Sequence, residues 1–267
     1  MAGMKNSDTD MRIAILGLGE AGSHFARDLV ELGIKVQGWD PNPQRPLPAE
    51  FVLAGSNAAA VQGADFIFSV NLSTVSEEVA REILPVLQPW QVFLEMNTSA
   101  PGKKQAIAEI LQSSGVQFVD LAIMAPVPPT GIRTPMLAAG QGAALFQDKM
   151  GDYPLQIEVL PDAAVGTAAE LKLLRSIVYK GIAGVIYEAV EVGRAFGQEA
   201  YIREQIRSVI GGKDELIDRF VSGTYTHAAR RREEMAAVVE MLEAQQLDPL
   251  MSKATRDQLE KLVQQKA

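Results

Sequence analysis

Short apolar runs alternate with amphipathic helical patterns along this chain up to Pro161. An apolar run of about four to eight residues is typical of a buried strand, whereas apolar residues three and four positions apart are typical of a helix. Strands are predicted over 11–16, 34–39, 65–70, 91–96, 116–123, 136–139 and 157–160, and helices over 20–32, 75–87 and 101–113. This alternation predicts an α/β fold in which a parallel sheet carries helices on both faces.

A glycine-rich turn, Gly17-Leu18-Gly19-Glu20-Ala21-Gly22, joins the first strand to the first helix. In such a turn the first glycine permits the tight bend, the second lets a pyrophosphate approach, and the third lets the helix pack closely. The helix N-terminus adds N–H groups and a positive dipole end. Because a strand precedes the motif and a helix follows it, we expect a Rossmann dinucleotide-binding domain. The expected cofactor contacts are Gly17, Leu18, Gly19, Glu20, Ala21 and Gly22.

Asp40 ends the second predicted strand, where an acidic residue accepts hydrogen bonds from an adenosine ribose. A carboxylate there also repels a 2′-phosphate, which favours NAD over NADP. Arg45 in the following loop could offset that preference, so NADP stays possible. The alternative role for Asp40 is that of a turn residue before Pro41.

Asn71 and Asn97 follow the third and fourth predicted strands, at the carboxyl edge where open α/β sheets bind ligands. Both are expected to contact the cofactor. The alternative for Asn71 is to shape a turn, and the alternative for Asn97 is to cap the helix that begins near Pro101.

After Pro161 the pattern is helical throughout. One long helix is predicted over 168–197, where about thirty residues would rise roughly 45 Å and could form a spine between domains. Further helices are predicted over 200–210, 213–220, 227–245 and 254–265. We therefore predict an NAD(P)-binding Rossmann domain over residues 11–163 and an all-helical substrate and dimerisation domain over residues 164–267.

Composition excludes several classes of protein. The chain has no cysteine, so it has no disulfide, thiolate metal site or cysteine nucleophile, and with two histidines no metal site is expected. A net charge of −8 argues against a general nucleic-acid binder. Residues 1–10 lack the apolar core of a signal peptide, and the apolar run 177–187 is too short to span a bilayer. We expect a soluble, cytoplasmic protein with a short polar leader and no membrane or nucleic-acid partner.

The chain resembles the β-hydroxyacid dehydrogenase family, which includes 6-phosphogluconate and 3-hydroxyisobutyrate dehydrogenases, and is most similar to a poorly characterised branch of it. The resemblance is carried by residues 17–22, 96–101, 120–140 and 166–176 and covers most of residues 11–197. It implies a nicotinamide-dependent oxidoreductase. Lys172 matches the family's catalytic lysine, while Ser176 stands where the family has asparagine.

The substrate loop departs from the family pattern, D-x-P-V-S-G-G. Residues 120–129 lack its serine and both glycines, so the resemblance leaves the substrate open. The segment is apolar and holds three prolines, and Met124 and Pro126 are expected to line the substrate pocket.

Oxidation of an alcohol requires a base for its proton, and a lysine serves if its pKa falls toward neutrality. Lys172 is therefore the expected general acid/base, the alternative being a solvated helix lysine. Ser176, one turn further on the same face, could hydrogen-bond the same oxygen. Lys180, a further turn on, is expected to be structural.

A basic segment, residues 224–233, offers a second candidate site. His227 and Arg231 could bind a substrate carboxylate, since the arginine fork matches that group. The alternative is an exposed basic helix face balanced by Glu233 and Glu234.

These features predict hydride transfer between nicotinamide and a small hydroxy acid or related carbonyl. The alternatives are a ketone or imine reductase on the same fold and a dinucleotide-binding sensor without catalysis. A homodimer is expected because the tail after Arg203 is rich in apolar residues, and a small domain buries a smaller share of its surface.

Overall fold

The computed structural model describes residues 11–211 and 214–266. The predicted polar leader, residues 1–10, and the predicted helix start at Lys213 lie outside the described residues. The chain divides into two compact units, the first ending at Lys172 and the second beginning at Leu173. The predicted domain limits, 11–163 and 164–267, stay a prediction.

The first unit is built on one sheet whose described strands follow the order β3-β2-β1-β4-β5-β6-β7-β8. The chain adds β2 and β3 on one side of β1, and then adds β4 and the later strands on the other side. Open α/β sheets bind ligands at the point where the strand order reverses in this way, here between β1 and β4. The strands are β1 Arg12–Leu16, β2 Lys35–Trp39, β3 Val52–Leu53, β4 Phe66–Ser69, β5 Val92–Glu95, β6 Gln117–Ile123, β7 Met136–Ala139 and β8 Ile157–Val159.

The prediction of a parallel sheet is correct for β1 to β6 but wrong at β7. Strand β7 runs antiparallel to β6, with Asp120 opposite Ala139 and Ile123 opposite Met136, and β8 then runs parallel to β7. The connection between β6 and β7 holds only a 3-10 turn at Gly131–Arg133. A parallel crossover usually carries an α-helix that runs back along the sheet, and without one here the chain enters β7 in the opposite direction.

Helices cover both faces of the sheet. They are α1 Glu20–Glu31, α2 Asn57–Ala60, α3 Ser76–Ile83, α4 Pro101–Leu111 and α5 Ala143–Met150. Along β4, Phe66 and Phe68 pack into one apolar core and Ile67 packs into another, which is the alternation of a strand buried on both faces. The short elements β3, α2 and α5 were not predicted.

The second unit is helical. A helix of 29 residues, α6 Thr167–Ala195, begins in the first unit and continues in the second. It is followed by α7 Glu199–Ile210, α8 Asp214–Thr226, α9 Ala228–Ala244 and α10 Leu250–Gln264. Leu173, Met235, Val238 and Leu259 form one core of this unit, and a second core includes Phe220. An α/β N-terminal part with a helical C-terminal part confirms the predicted fold class.

None of the helices in residues 11–211 and 214–266 combines the length and the apolar character that crossing a bilayer requires.

Candidate active site

The glycine-rich turn lies between β1 and α1, and its geometry separates the three glycines. Gly17 has φ +102°, and a Cβ there would lie 2.6 Å from the carbonyl oxygen of Val70. A Cβ on Gly22 would collide with the carbonyl oxygen of Gly17. A Cβ on Gly19 would meet no atom within 4 Å. The fold itself therefore requires Gly17 and Gly22, while Gly19 leaves open the space that a pyrophosphate needs, and the turn fits a dinucleotide.

The N-terminus of α1 completes this cradle. Gly19 is its N-cap, and no side chain in the described part of the chain caps it. The first-turn N–H groups, including those of Glu20 and Ala21, are thus the donors that a phosphate binds at a helix N-terminus. Nη2 of Arg45 lies 4.0 Å from Oε2 of Glu20, which places a cation of the loop after β2 beside the turn.

Asp40 braces the glycine-rich turn from the end of β2. Its Oδ2 accepts a hydrogen bond from the backbone N–H of Leu18 at 2.8 Å, and its Oδ1 accepts one from the N–H of Asn42 at 2.8 Å. The turn role considered from the sequence is therefore present. A carboxylate oxygen can accept more than one hydrogen bond, so both oxygens can also accept from a ribose.

Asn71 and Asn97 meet at the carboxyl edge of the sheet. Nδ2 of Asn97 donates to Oδ1 of Asn71 at 3.1 Å, and Nδ2 of Asn71 donates to Oγ of Ser69 at 3.1 Å. Asn71 also lies against Gly17, whose added Cβ would be 2.8 Å from its Cα. The alternative of Asn97 as a helix cap is wrong, since Ala100 is the N-cap of α4 and no side chain caps that helix. The structure thus brings Asn71 to the glycine-rich turn and Asn97 to Asn71.

Lys172 lies near the start of α6, within the first unit. Its Nζ donates to Oγ1 of Thr98 at 2.7 Å. Thr98 directly follows Asn97, so the ammonium group is held at the same edge of the sheet as the two asparagines. Thr98 was not among the site residues predicted from the sequence. The available signals were its place beside Asn97 and its position in the segment 96–101 that carries the resemblance.

A buried charged network lies directly beneath this edge. Lys104, Glu95 and Asp120 are at most 1% exposed. Nζ of Lys104 donates to the Glu95 carboxylate and to the Glu95 carbonyl oxygen, and it lies 3.5 Å from Oδ1 of Asp120. These three residues were also not among the predicted site residues. Glu95 and Asp120 do lie within apolar strands, and a charged residue is rarely buried without a partner, so a signal was available for these two.

The other carboxylate oxygen of Asp120 reaches the start of α6. Oδ2 accepts hydrogen bonds from the N–H of Gly166 at 3.1 Å and from the N–H of Ala169 at 3.0 Å. A carboxylate at a helix N-terminus satisfies backbone donors and stabilises the helix dipole. Asp120 therefore fixes the first turn of the helix that carries Lys172.

The predicted pocket wall after β6 is anchored on α1. The N–H of Ile132 donates to Oδ2 of Asp28 at 2.7 Å, and Val127 is buried in the core of the sheet. Met124 is half-buried and Pro126 is exposed. Their contact with a substrate stays a prediction.

Ser176 and Lys180 share a partner within the helical unit. Ser176 is 1% exposed, and its Oγ donates to the Glu234 carboxylate. Nζ of Lys180 donates to the same carboxylate at 2.7 Å and lies 3.4 Å from Oγ of Ser176. Burial lowers the pKa of Lys180, against the opposing effect of Glu234. The role of Ser176 in orienting a reacting oxygen stays a prediction.

His227 and Arg231 lie at the start of α9. His227 is exposed, and Nη1 of Arg231 donates to Oγ1 of Thr224 at 2.9 Å. Burial, followed by repulsion from Arg230, lowers the pKa of Arg231. The alternative was an exposed basic helix face whose positive charges are balanced by Glu233 and Glu234. It holds for Glu233, which pairs with Arg232. It does not hold for Glu234, which is buried.

Within residues 11–211 and 214–266, no group of three or more histidine, aspartate or glutamate side chains is placed to hold a metal ion.

The lowered pKa of Lys180 predicts how stability depends on pH. Between that lowered pKa and the ordinary value of 10.5, the unfolded chain binds more protons than the folded chain, so the free energy of unfolding rises with pH. Urea unfolding from about pH 8 to about pH 10.5 should show wild type gaining stability relative to Lys180→Met. The exposed Lys261→Met is the control. A difference between wild type and Lys180→Met that stays constant over this range would contradict the expectation.

Two segments of the chain match family models. Residues 12–128 match the NAD-binding domain of 6-phosphogluconate dehydrogenase. Residues 195–262 match a domain of unknown function, DUF1932. The first match contains the glycine-rich turn, Asp40, both asparagines and Thr98.

Relatives extend the likeness to nearly the whole chain. An uncharacterized 28.5 kDa protein of Methanothermus fervidus is 26% identical over 254 residues, 92% of this chain and 97% of that protein. An NADPH-dependent reductive aminase of Aspergillus oryzae is 28% identical over 142 residues, 51% of this chain and 47% of the enzyme. A 3-hydroxyisobutyrate dehydrogenase structure from Salmonella typhimurium has a TM-score of 0.78 at 18% identity, covers 94% of each chain, and shows the shared fold.

The match to the NAD-binding domain indicates a nicotinamide dinucleotide cofactor, and the fold is the one seen in the 3-hydroxyisobutyrate dehydrogenase structure. Together with the motifs at the sheet edge, these matches confirm the predicted resemblance to the β-hydroxyacid dehydrogenase family.

Proposed function

We propose that the protein transfers a hydride between a nicotinamide dinucleotide and a small hydroxy acid or related carbonyl, with Lys172 as the general acid/base. The observation that carries the proposal is the hydrogen bond from Lys172 to Thr98. It holds an ammonium group beside Asn97, on the edge of the sheet that also carries the open space over Gly19.

Each part of this edge has a separate task. The glycine-rich turn and the N–H groups of α1 bind the pyrophosphate, Asp40 accepts from the adenosine ribose, and Asn71 and Asn97 face the nicotinamide end. When bound, the nicotinamide ring supplies or accepts the hydride. Lys172 removes the hydroxyl proton in the oxidation and returns it to the carbonyl oxygen in the reduction. Thr98 accepts from the ammonium group and so orients it.

Reduction of a ketone or an imine is the second candidate, and its support is the likeness to a fungal reductive aminase over half of the chain. The same ammonium group would then protonate a carbonyl oxygen or an imine nitrogen. A dinucleotide-binding sensor, the third possibility, has no need of a lysine at the nicotinamide end. In the hydroxy-acid and reductase cases we propose that Met124 and Pro126 contact the substrate. For His227 and Arg231, carboxylate binding stays a prediction.

Lys172→Ala should lower turnover by about 10²–10⁴-fold, because the general acid/base is lost. Cofactor affinity should stay close to that of wild type, since the glycine-rich turn and Asp40 are unchanged. The measurement is a screen of hydroxy acids, ketones and imines that follows NADH and NADPH absorbance. Ser176→Ala should cost less and Lys180→Ala least. Wild-type turnover in Lys172→Ala would refute the assignment of the lysine.

Asp40 predicts that NADH binds more tightly than NADPH, because a carboxylate repels the 2′-phosphate. Fluorescence titration of both cofactors measures the preference. Arg45→Ala should weaken NADPH binding and leave NADH binding unchanged, since Arg45 lies beside the turn. If wild type prefers NADPH, Asp40 does not contact the ribose, and Arg45 is the residue that binds the 2′-phosphate.

A homodimer is also proposed, but on a different surface from the tail. Among the apolar residues of the tail, Ile217, Phe220, Met235, Val238 and Val239 are buried and so cannot form an interface.

Helix α6 instead carries an exposed apolar stripe, made of Leu174, Val178, Ile182, Val185 and Val192, each 42–62% exposed. At 3.6 residues per turn these side chains fall within an arc of about 80°. A straight apolar stripe along a long helix matches the same stripe on a second copy of this chain.

Val178→Glu combined with Val185→Glu should therefore shift the protein from dimer to monomer in sedimentation at micromolar concentration, because charges would be buried in the interface. Val209→Glu, at a position 83% exposed on α7, is the matched control. A wild-type monomer under these conditions would refute the dimer.

A further inference from the structure

We propose that Lys104 is a positioning residue that holds the cofactor edge and the helix of Lys172 in register, through Glu95 on one side and Asp120 on the other. This inference rests on the proposed function for its meaning in catalysis. The geometry on which it depends lies wholly within the first unit.

On the strand side, Lys104 fixes the end of β5. Its Nζ donates to the backbone carbonyl oxygen of Glu95 at 2.9 Å and to the Glu95 carboxylate. The other carboxylate oxygen of Glu95 accepts from Nδ2 of Asn97, which also donates to Asn71. The orientation of the Asn97 amide therefore follows from the position of the lysine.

On the helix side, Lys104 faces the carboxylate that caps α6. Oδ1 of Asp120 lies 3.5 Å from Nζ and has no hydrogen-bond partner in the described part of the chain. Oδ2 accepts from the N–H groups of Gly166 and Ala169. The attraction of the ammonium group thus holds Asp120 with one oxygen pointing to the lysine and the other to the helix.

The two carboxylates need this lysine because they are close neighbours. Glu95 and Asp120 are register partners on adjacent strands, which run about 4.8 Å apart, and both are fully buried. Without a cation between them, the two buried carboxylates would repel each other strongly, because charges at this separation are poorly screened inside a protein. That repulsion would displace the carboxylates from their hydrogen bonds to Asn97 and to the start of α6.

The first test isolates the helix side. Asp120→Asn keeps an oxygen that can accept from both N–H groups, whereas Asp120→Ala removes the cap. Hydrogen exchange measured by mass spectrometry over residues 166–172 should accelerate about tenfold in Asp120→Ala and stay close to wild type in Asp120→Asn. Equal exchange in the two variants would overturn the role of Asp120. Peptides from α1 and α3 report general destabilisation, which would raise exchange in every segment alike.

The second test removes the lysine. Lys104→Met alone leaves two buried carboxylates facing each other. The variant K104M/E95Q, which keeps the net charge of the three residues, is therefore measured beside it. Lys103→Met is the matched control on the same helix. K104M/E95Q should weaken NADH binding about tenfold in a fluorescence titration and speed exchange over residues 166–172. Lys103→Met should change neither. A folded K104M/E95Q with wild-type NADH affinity and wild-type exchange would overturn the proposal.

A kinetic readout then separates positioning from stability. Asp120→Ala should lower kcat about 100-fold while the dissociation constant for NADH stays unchanged, because the variant displaces Lys172 and leaves the cofactor-binding residues in place. An equal loss in both quantities would mean that Asp120 acts only on stability. Hydrogen exchange needs neither substrate nor cofactor, so a failure of the proposed function leaves the exchange result standing and is distinguishable from a failure of this inference.

Discussion

The carboxylate of Asp120 joins the sheet to the helix that carries the candidate catalytic lysine. A helix N-terminus leaves four N–H groups without partners inside the helix, and Asp120 accepts from two residues at the start of α6. Lys172 is less than one turn beyond Ala169, so the place of its ammonium group depends on this cap. The cap in turn depends on Lys104, since a buried carboxylate needs a compensating charge.

The parallel strands explain why chemically useful groups gather at one edge. Strands β1, β4 and β5 all end there, and each is followed directly by a segment of the candidate site: the glycine-rich turn, Asn71, and Asn97 with Thr98. Glycine at position 17 lets the turn pass against the backbone of Val70 and Asn71. The site is therefore built from loop starts whose positions are fixed by a rigid sheet, as expected where ligands bind at a topological switch point.

Features that are local in the chain could be predicted from the sequence, and features that depend on register could not. The alternation of strands and helices and the glycine-rich turn depend on residues that are close together in the sequence. The contact between Thr98 and Lys172 joins residues 74 positions apart, and Glu95 meets Asp120 only through the pairing of β5 with β6. Periodicity predicted the long helix α6 but not which of its faces is covered, so the exposed stripe on α6 was missed.

We propose that one edge of the sheet binds the dinucleotide and presents its nicotinamide to Lys172. A crystal structure of the protein with NADH bound tests it most directly. In that structure the pyrophosphate should lie on the N–H groups at Gly19 to Ala21, with the nicotinamide ring beside Asn97 and facing the ammonium group of Lys172. A pyrophosphate bound away from this turn, or a nicotinamide ring that faces away from Lys172, would contradict it.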